Sequence, residues 1–334
     1  MLVTSLPNIR YLTGFSGSNA ALFISAHDPA DDVIATDGRY TEQVAEQCPD
    51  LPMLIDRATL AHLADSIARH GVRELAIEGS MSLDEQAVLT THIPRPVWLD
   101  GLVESLRVQK DAEELRLLAD ACAITAQAMS ALFDEIGPGW TEIAVARRLE
   151  QRFGELGAQD RAFPTIVGAG AHAAIPHHEP TTRELTAGDL VVVDAGARVG
   201  GYHADMTRTV VVGTPAAWQV DLHREVAEAA ARGRAAALVD ASLPEVDAAA
   251  RGHLESVGLG EAFVHGLGHG VGLEIHEAPM IGPRAVGRLA PSTPITIEPG
   301  AYLAGRGGVR IEDTLVVGSG AVLTDADRSL RSVG

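Results

Sequence analysis

The sequence predicts an α+β protein, with a small α/β domain over residues 1–106 and a larger domain over residues 107–334 whose sheet is mainly antiparallel. Three observations predict this class. Short apolar segments alternate with turns and helix-like stretches up to about residue 105. A long helical pattern then begins at Asp111. Beyond it, strand-rich blocks cluster between helices without the regular βαβ alternation of a parallel sheet.

The elements of the first domain are short apolar runs bounded by turn residues. Its predicted strands lie within residues 21–25, 31–40, 74–79 and 96–101, and its predicted helices lie around residues 41–47 and 58–70. The pattern changes near residues 106–110, where we place the domain boundary.

The second domain opens with a predicted helix that has acidic residues in its first turn and Gly137 after its end. Further helices are predicted over residues 141–157, 219–240 and 244–257, and strands in the blocks 189–213, 294–303 and 308–317. Ser242 and Glu245 have the S-x-x-E spacing of a capping box, with Pro244 in the first turn. This pattern predicts a capped start for the last of these helices.

Composition narrows the classes of function. With 334 residues, 46% of them hydrophobic, the chain can bury a large core. Its formal net charge of −19 would repel nucleic acid and anionic membranes, so we expect neither as a partner. The two cysteines lack metal-site and disulfide spacing, and no apolar run approaches the ~20 residues of a membrane span. Because the N-terminus also lacks a signal-peptide pattern, we expect a cytoplasmic protein.

Residues 189–213 contain two β-branched runs that flank a pair of glycines, which predicts an antiparallel hairpin. If the hairpin is centred between residues 199 and 200, Asp194 lies opposite Asp205 on one face, with Cβ atoms ~5 Å apart. Like charges opposite each other destabilise a sheet, so a cation is expected between them. The segment has no lysine, and if Arg198 and Arg208 face elsewhere the cation is a metal ion. The alternative is that both acids lie at solvated strand ends.

Residues 265–277 contain His265, His269 and His276 among four glycines. Such a stretch cannot form a regular helix, and it predicts a loop that brings imidazoles close to a ligand. The spacing differs from H-E-x-x-H, and no cysteine is near, which excludes a zincin or a zinc finger.

Two glutamates occupy apolar strand patterns. Glu298 ends the run TPITIEPG, and Glu312 lies within GVRIEDTLVV. A glutamate among such residues needs a partner, and a simple ion pair with Arg310, two residues earlier, is one alternative. The other is that two aspartates, two glutamates and one histidine bind a pair of Mn²⁺, Co²⁺ or Zn²⁺ ions. Two such ions can share a water, lower its pKa and stabilise the oxyanion of amide hydrolysis.

Five motifs, in the order VVVDAGA, GYHADMTRT, HGLGHGVGLEIHE, ITIEPG and GVRIED, resemble the pita-bread metallopeptidases of the prolidase and aminopeptidase P group. LPNIRYLTGFSGS and TDGRYTEQ resemble the creatinase-type N-terminal domain of the same group. The resemblance spans nearly the whole chain. It implies a small creatinase-like domain followed by a pita-bread catalytic domain with a curved, mainly antiparallel sheet.

The resemblance also implies a metal-ligand set. Asp194 would be a terminal ligand of the first metal, while Asp205 and Glu312 would bridge both metals. His269 and Glu298 would complete the second metal, and Glu298 would also shuttle a proton to the leaving nitrogen. The implied cofactor is two divalent ions per chain, Mn²⁺ before Co²⁺ or Zn²⁺, whose shared hydroxide attacks the bond before proline.

Other site residues follow from the same resemblance. His177, in AIPHHEP, would lie near the substrate, and His276 and His265 would contact the substrate and the tetrahedral intermediate. Arg310 and Tyr302 would lie behind the ligands or beside the substrate. No role is assigned to His172, His178 and His203. The loop GAGAHAAIPHH departs from the usual S-G-x-N-x-A-x-P-H motif of the family, so its contacts are left open.

The expected substrate is a proline-containing di- or oligopeptide, and we favour an Xaa-Pro dipeptidase over an aminopeptidase P. A dipeptidase needs either a positive group for the free carboxylate or a wall that blocks chain extension. Arg39, from the same chain or from a neighbouring one, is a candidate for the positive group, and the alternative is that it is an ordinary surface arginine. Two other enzymes of this fold fit the sequence less well. Methionine aminopeptidase usually lacks the first domain, which is present here. Creatinase is a hydrolase that uses no metal, whereas this chain keeps all five ligands. A non-catalytic interaction module on this fold would have lost ligands, whereas all five are present. A homodimer is the family expectation.

Overall fold

The computed structural model describes residues 1–72 and 74–334, and the chain separates into two compact units, Met1–Arg107 and Val108–Gly334. The predicted α+β class is confirmed, because helices cover both a mixed sheet in the first unit and largely antiparallel sheets in the second. Each unit has its own buried apolar residues.

The first unit is a six-stranded mixed sheet with helices. Its strands are β1 Leu2–Val3, β2 Ala20–Phe23, β3 Val33–Thr36, β4 Met53–Ile55, β5 Leu75–Ile77 and β6 Pro96–Trp98. Its helices are α1 Leu6–Thr13, α2 Thr41–Gln47, α3 Thr59–Arg69, α4 Leu83–Thr90 and α5 Leu102–Arg107. The strand order is β4-β3-β2-β1-β5-β6, in which β1, β2 and β3 are antiparallel and the outer pairings are parallel.

The second unit contains the strand-rich blocks and the long helices that the sequence predicts. Its helices are α6 Ala112–Phe133, α7 Glu142–Glu155, α8 Ala217–Ala236 and α9 Leu243–Ser256. Its strands are β7 Asp160–Arg161, β8 Ile166–Ala169, β9 Leu190–Ala195, β10 Ala197–Val199, β11 Tyr202–His203, β12 Met206–Val212, β13 Gly268–Gly270, β14 Glu277–Ile281, β15 Pro294–Ile297, β16 Gly300–Leu303, β17 Gly307–Arg310, β18 Asp313–Val316 and β19 Ser332–Val333. The sheets follow the orders β19-β12-β9-β8, β14-β13-β15-β18, β11-β10-β7 and β16-β17.

Strand β9 has both faces buried, which explains its unbroken valine run. Val191 and Val193 pack into a core with α6 and α7, whereas Leu190 and Val192 pack into a core with α8 and α9. Side chains alternate along a strand, so Asp194 continues the second series and points to the side of α8 and α9.

The predicted pairing of Asp194 with Asp205 is wrong. Strands β9 and β12 place Asp194 opposite Thr207, because the hairpin is centred between Gly200 and Gly201 rather than one residue earlier. Both glycines have positive φ, 54° and 84°, as a two-residue type I′ turn requires. An error of one residue in the centre displaces the register by two, and an even displacement keeps the predicted face of the strand.

Capping signals were only partly predictive. Ser242 is the N-cap of α9, and its backbone N–H donates to the carboxylate of Glu245. The Ser242 side chain accepts no hydrogen bond from the first turn of the helix, so the predicted box is half formed. A complete box joins Ser82 and Glu85 at the start of α4, a helix that we did not predict although its signal is in the sequence.

Helix α6 is the one described helix that is long and apolar enough to cross a membrane, with 22 residues and a mean hydropathy of 1.2. One side of it, including Leu118, Cys122 and Met129, is buried. Core helices pass the same test of length and composition, so this is weak support for a span.

Candidate active site

Five potential metal ligands converge from separate strands of the second unit. Asp194 lies near the end of β9, and Asp205 lies one residue before β12. His269 is the middle residue of β13, which corrects the predicted loop, because the flanking glycines let neighbouring backbones approach closely. Glu298 follows β15 directly, and Glu312 lies between β17 and β18. The site is therefore held by strands and by residues directly next to strand ends.

Short distances separate the ligand atoms of this group. His269 Nε2 lies 3.5 Å from Asp205 Oδ2 and 3.5 Å from Glu298 Oε1. Ligand atoms of Asp205, His269 and Glu312 all lie within 4.8 Å of one another. All three of these residues are buried.

Burial and mutual repulsion raise the pKa of these carboxyl groups. The pKa of Asp205 is raised well above its ordinary value by burial, then by Glu312 and Asp194. The pKa of Glu312 is raised by burial and by Glu298 and Asp194. Burial raises the pKa of Glu298 to about 8 against the opposing effect of Arg310. Without further positive charge, this group of acids opposes its own ionisation.

The donor atoms of the site fit divalent ions. Among the described residues no hydrogen-bond donor reaches the buried Asp194 Oδ1 or Glu312 Oε1. Buried carboxylate oxygens in a native fold have partners, so these two oxygens indicate a cation. Asp194, Asp205, His269, Glu298 and Glu312 would hold it, and oxygen with one imidazole suits Mn²⁺, Co²⁺ or Zn²⁺.

A backbone carbonyl fixes the tautomer of His269 that can bind a metal. Its Nδ1 lies 3.0 Å from the carbonyl oxygen of Gly270. A carbonyl can only accept, so the proton is on Nδ1 and the lone pair on Nε2 faces Asp205 and Glu298. Burial also lowers the pKa of His269 to about 4, which keeps the ring neutral.

Arg310 supplies a positive charge inside the site, but not to Glu312 as a simple ion pair would. Its Nη2 donates to Asp194 Oδ2 at 2.6 Å, and its Nε donates to Thr207 Oγ1 at 3.0 Å. Thr207 in turn donates to Glu312 Oε2 at 2.7 Å. One guanidinium therefore orients two of the potential ligands, one directly and one through a hydroxyl.

The same guanidinium extends to the predicted substrate side. Arg310 Nη1 donates to the hydroxyl of Tyr302 at 2.8 Å, and that hydroxyl lies 2.9 Å from His265 Nε2. His265 Nδ1 donates to the carbonyl of Gly266, so Nε2 accepts the Tyr302 proton. Burial lowers the pKa of His265 to about 4 and raises that of Tyr302 to about 12, so both stay neutral.

A cavity of about 820 Å³ opens over the five residues. His177, His265 and His276 line it, as does Arg310. His276 packs edge to face against the His269 ring, with centroids 4.4 Å apart. The structure thus brings every proposed site residue of the second unit to one cavity, with Tyr302 directly behind His265.

Arg39 belongs to the first unit. Its side chain is 70% exposed and binds Asp37 Oδ2 at 2.8 Å. Its predicted role as a carboxylate clamp stays a prediction.

The histidines without an assigned role have other partners. His203 bonds the carbonyl of Gly272. His172 and His178 both contact the buried carboxylate of Glu142, which the sequence reasoning did not single out.

Sequence reasoning also missed residues that support the potential ligands or line the cavity. Thr207 could have been found, because it lies two residues after Asp205 and therefore on the same strand face. The exposed Arg284 gives the wall a guanidinium, yet no motif marks it. The apolar part of the wall comes from distant segments: Phe163, Ile166, Phe263, Val264 and Met280.

The profile of Metallopeptidase family M24 matches residues 116–319, and that of the Creatinase/Prolidase N-terminal domain matches residues 1–109. The chain belongs to metallopeptidase family M24. The predicted family and fold, a creatinase-type domain followed by a pita-bread domain, are therefore confirmed, as is a metal-dependent hydrolase.

Individual M24 proteins resemble the chain over most of their length. An Xaa-Pro dipeptidase of Pyrococcus furiosus is 39% identical over 260 residues, covering 77% of this chain and 75% of the relative. The solved Xaa-Pro dipeptidase of Bacillus anthracis has a TM-score of 0.95 at 33% identity, covering 99% of this chain and 94% of that one. The X-Pro aminopeptidase of Thermotoga maritima has a TM-score of 0.90 at 30% identity, covering 99% and 97%.

We expect Thr207 to affect catalysis at the metal site, although it is not one of the five potential ligands. Replacing Thr207 with valine removes the hydroxyl between Arg310 and Glu312 while keeping the shape of the side chain. We expect kcat/KM for peptide hydrolysis to fall about 10- to 100-fold, since a group that orients a ligand usually contributes that much. Steady-state kinetics at saturating metal measures the loss.

A matched control is Thr293→Val. Thr293 is equally buried, and its hydroxyl has no hydrogen-bond partner among the described residues. The same substitution there should leave kcat/KM unchanged and should not lower the melting temperature. Equal kinetic effects of the two substitutions would show that Thr207 has no particular role.

Proposed function

We propose that this protein is a dinuclear metal-dependent Xaa-Pro peptidase that hydrolyses the bond before proline, with a preference for Xaa-Pro dipeptides. The observation that carries the proposal is the set of four carboxylates and one neutral imidazole, all buried except the half-buried Glu298, with two unpartnered oxygens, in a histidine-lined cavity. The names of the dipeptidases from Pyrococcus furiosus and Bacillus anthracis support the substrate class.

Different residues of this chain have different roles in the proposed reaction. Bound divalent ions would supply Lewis-acid activation of a water and of the amide carbonyl. Glu298 borders the cavity beside the other potential ligands, so we assign to its carboxyl group the transfer of a proton to the leaving nitrogen. His265, His276 and His177 are placed to orient the substrate from the cavity wall.

The preference for proline has a physical basis. The Xaa-Pro bond is a tertiary amide without an N–H, and its ring is stiff. A general peptidase site that binds the amide N–H therefore loses a contact. The apolar wall formed by Phe163, Ile166 and Phe263 offers instead a surface for the ring.

The proposed function is tested by a panel of Xaa-Pro di-, tri- and longer peptides, supplied with Mn²⁺, Co²⁺ or Zn²⁺ in turn. We expect hydrolysis before proline and about two divalent ions per chain by elemental analysis. A folded, metal-free and inactive protein would contradict the proposal and favour a binding module. Cleavage after methionine with no requirement for proline would contradict it in favour of a methionine aminopeptidase.

A second candidate, an Xaa-Pro aminopeptidase that acts on longer peptides, is supported by two observations. The Thermotoga maritima aminopeptidase covers nearly the whole chain. A cavity of about 820 Å³ also leaves ample room beyond a dipeptide. We therefore propose that dipeptide preference depends on a charge that holds the free carboxylate and not on a closed wall.

Arg284 and Arg39 are the two candidates for that charge. Replacing the clamp with alanine should lower kcat/KM for Ala-Pro about 10- to 100-fold, because a charge-assisted hydrogen bond to the carboxylate is lost. Ala-Pro amide, which has no carboxylate, should be unaffected. We expect this pattern for Arg284→Ala, because Arg284 lines the cavity.

The matched experiment is Arg39→Ala with the same two substrates and with Ala-Pro-Ala. Unchanged dipeptide preference in both variants, or a preference of the wild type for the tripeptide, would contradict the dipeptidase assignment. A selective loss in Arg39→Ala alone would assign the clamp to the first unit.

We further propose Mn²⁺ as the native metal, a homodimer and a cytoplasmic location. Oxygen-rich ligand sets accept manganese well. Cys48 and Cys122 are both free and buried, which suits a reducing compartment. Metal analysis of protein purified without added metal and light scattering of the intact protein test the first two.

A further inference from the structure

A second cluster of titratable side chains lies around Glu142, the first residue of α7. Its carboxylate is completely buried and accepts five hydrogen bonds. Oε1 receives Ala169 N and His172 Nδ1, both at 2.9 Å. Oε2 receives His178 Nε2 at 3.0 Å and both the backbone N–H and the hydroxyl of Thr181, at 3.0 and 2.7 Å.

Ligand atoms of Glu142, His172 and His178 lie within 4.8 Å of one another, close enough to hold a metal ion. The carboxylate, however, has no lone pair left to bind one. A carboxylate offers about four lone-pair sites, and here five donors occupy them. Burial alone would raise the pKa of Glu142, but hydrogen bonds from Thr181, His178 and backbone N–H groups lower it to about 2. The group is therefore a permanent anion that is already satisfied, which favours an anchor over a metal ligand.

The five donors all belong to residues 169–181, a segment that starts at the last residue of β8 and contains one short 3₁₀ turn, Gly170–Ala174. This segment carries His177 into the cavity. Among the described residues no hydrogen bond holds the exposed His177 ring itself. Its position is therefore set by the backbone on either side.

Both neighbours of His177 are fixed by buried charges. On one side the carbonyl of Pro176 accepts a hydrogen bond from Arg310 Nη1 at 3.2 Å. On the other side His178 is bound to Glu142. The cationic contact links the segment to the metal centre, and the anionic contact links it to α7.

We propose that Glu142 is a positioning residue that places the His177 imidazole over the substrate by anchoring residues 169–181 to α7. The inference rests on the proposed function, because it assigns His177 to the bound peptide. Glu142 acts through the segment and does not touch the substrate.

A double-mutant cycle tests this inference. Glu142→Gln keeps the size of the side chain but turns one acceptor into a donor that faces other donors. We expect it to lower kcat/KM for Ala-Pro at least tenfold in the wild-type background. In the His177→Ala background, the same change should have an effect of less than about twofold, because the residue through which Glu142 acts is already gone. Additive losses would overturn the proposal, as would wild-type kinetics of Glu142→Gln.

The control for a general loss of stability is Asp189→Asn. Asp189 is also a buried carboxylate, and it accepts bonds from Arg183 at 2.8 and 3.0 Å and from Thr186 at 2.9 and 3.0 Å. This variant should lower the melting temperature without changing kcat/KM. If Glu142→Gln does not fold, His178→Phe removes a single bond of the anchor and enters the same cycle with the same expectation.

Hydrogen exchange keeps this test separate from the proposed function. In Glu142→Gln the amides of Ala169 and Thr181 should exchange at least tenfold faster than in the wild type, whatever the protein hydrolyses. Unchanged exchange at both amides would overturn the anchor. So would loss of one equivalent of tightly bound metal in His172→Ala, because the cluster would then be a ligand set. Failure of the wild type to cleave any Xaa-Pro peptide, with faster exchange in the variant, would instead reject only the proposed function.

Discussion

Asp205→Asn is expected to lower kcat/KM for Xaa-Pro hydrolysis by ~10³-fold or more and to reduce the metal content below two ions per chain. The amide keeps the shape of the side chain but loses the charge and half of its oxygen donors. Because Asp205 faces Glu312, Asp194 and Glu298, removal of its charge should also stabilise the metal-free protein. Elemental analysis, kinetics and thermal melting in a chelator measure the three effects.

The opposite direction of these effects makes the prediction specific. Asp160→Asn, a change at an exposed aspartate that pairs with Arg198, serves as the control and should alter none of the three quantities. A chelated Asp205→Asn protein that melts below the chelated wild type would contradict mutual repulsion. Retention of two ions and of activity would remove Asp205 from the ligand set.

Removal of the metal should make stability fall as the pH rises. In the metal-free site, the folded pKa of Asp205 and Glu312 lies above the ordinary value, and that of Glu298 is about 8. Between the ordinary carboxyl pKa of ~4 and pH 8, the folded state therefore holds more protons than the unfolded state. A rise in pH then costs up to ~1.4 kcal/mol per pH unit for each extra proton. The stability that these protonated groups contribute is present at low pH and is lost as the pH passes the folded pKa.

Other carboxylates oppose this trend, since Glu142 and Asp189 have lowered pKa values and stabilise the fold above pH ~4. The quantity to measure is therefore the difference in unfolding free energy between metal-loaded and chelated protein, by urea denaturation from pH 5 to pH 8. We expect this difference to grow with pH. In Asp205→Asn the growth should be smaller, because one titrating group is gone. A difference independent of pH would contradict a carboxylate-rich metal centre.

The hairpin of Asp194 and Asp205 illustrates what pattern reasoning can reach. The β-branched runs correctly predicted two paired strands, because alternation and branching are local properties. The register depended on which residues of Val199-Gly200-Gly201 form the turn, and only the pair of positive φ angles decides that. The error displaced Asp205 along the strand without moving it to the other face.

Arg310 illustrates what pattern reasoning could not reach. Because Arg310 lies two residues before Glu312, the sequence suggests a local ion pair between them. In the structure Arg310 instead binds Asp194, 116 positions earlier in the chain. Thr207 and Glu312 are likewise separated by 105 positions. No local rule relates such residues, since their meeting depends on how whole strands are arranged.

The sequence by itself determined the chemical type of the centre. Oxygen donors, one imidazole and glycine-flanked strands are properties of residue type and order, and a metal selects its ligands by type. Only the tertiary structure decided which oxygens remain unpartnered, which carboxyl groups have a raised pKa, and that Glu142 anchors the segment of His177. These are consequences of burial and of distance in space, on which desolvation and Coulomb energies depend.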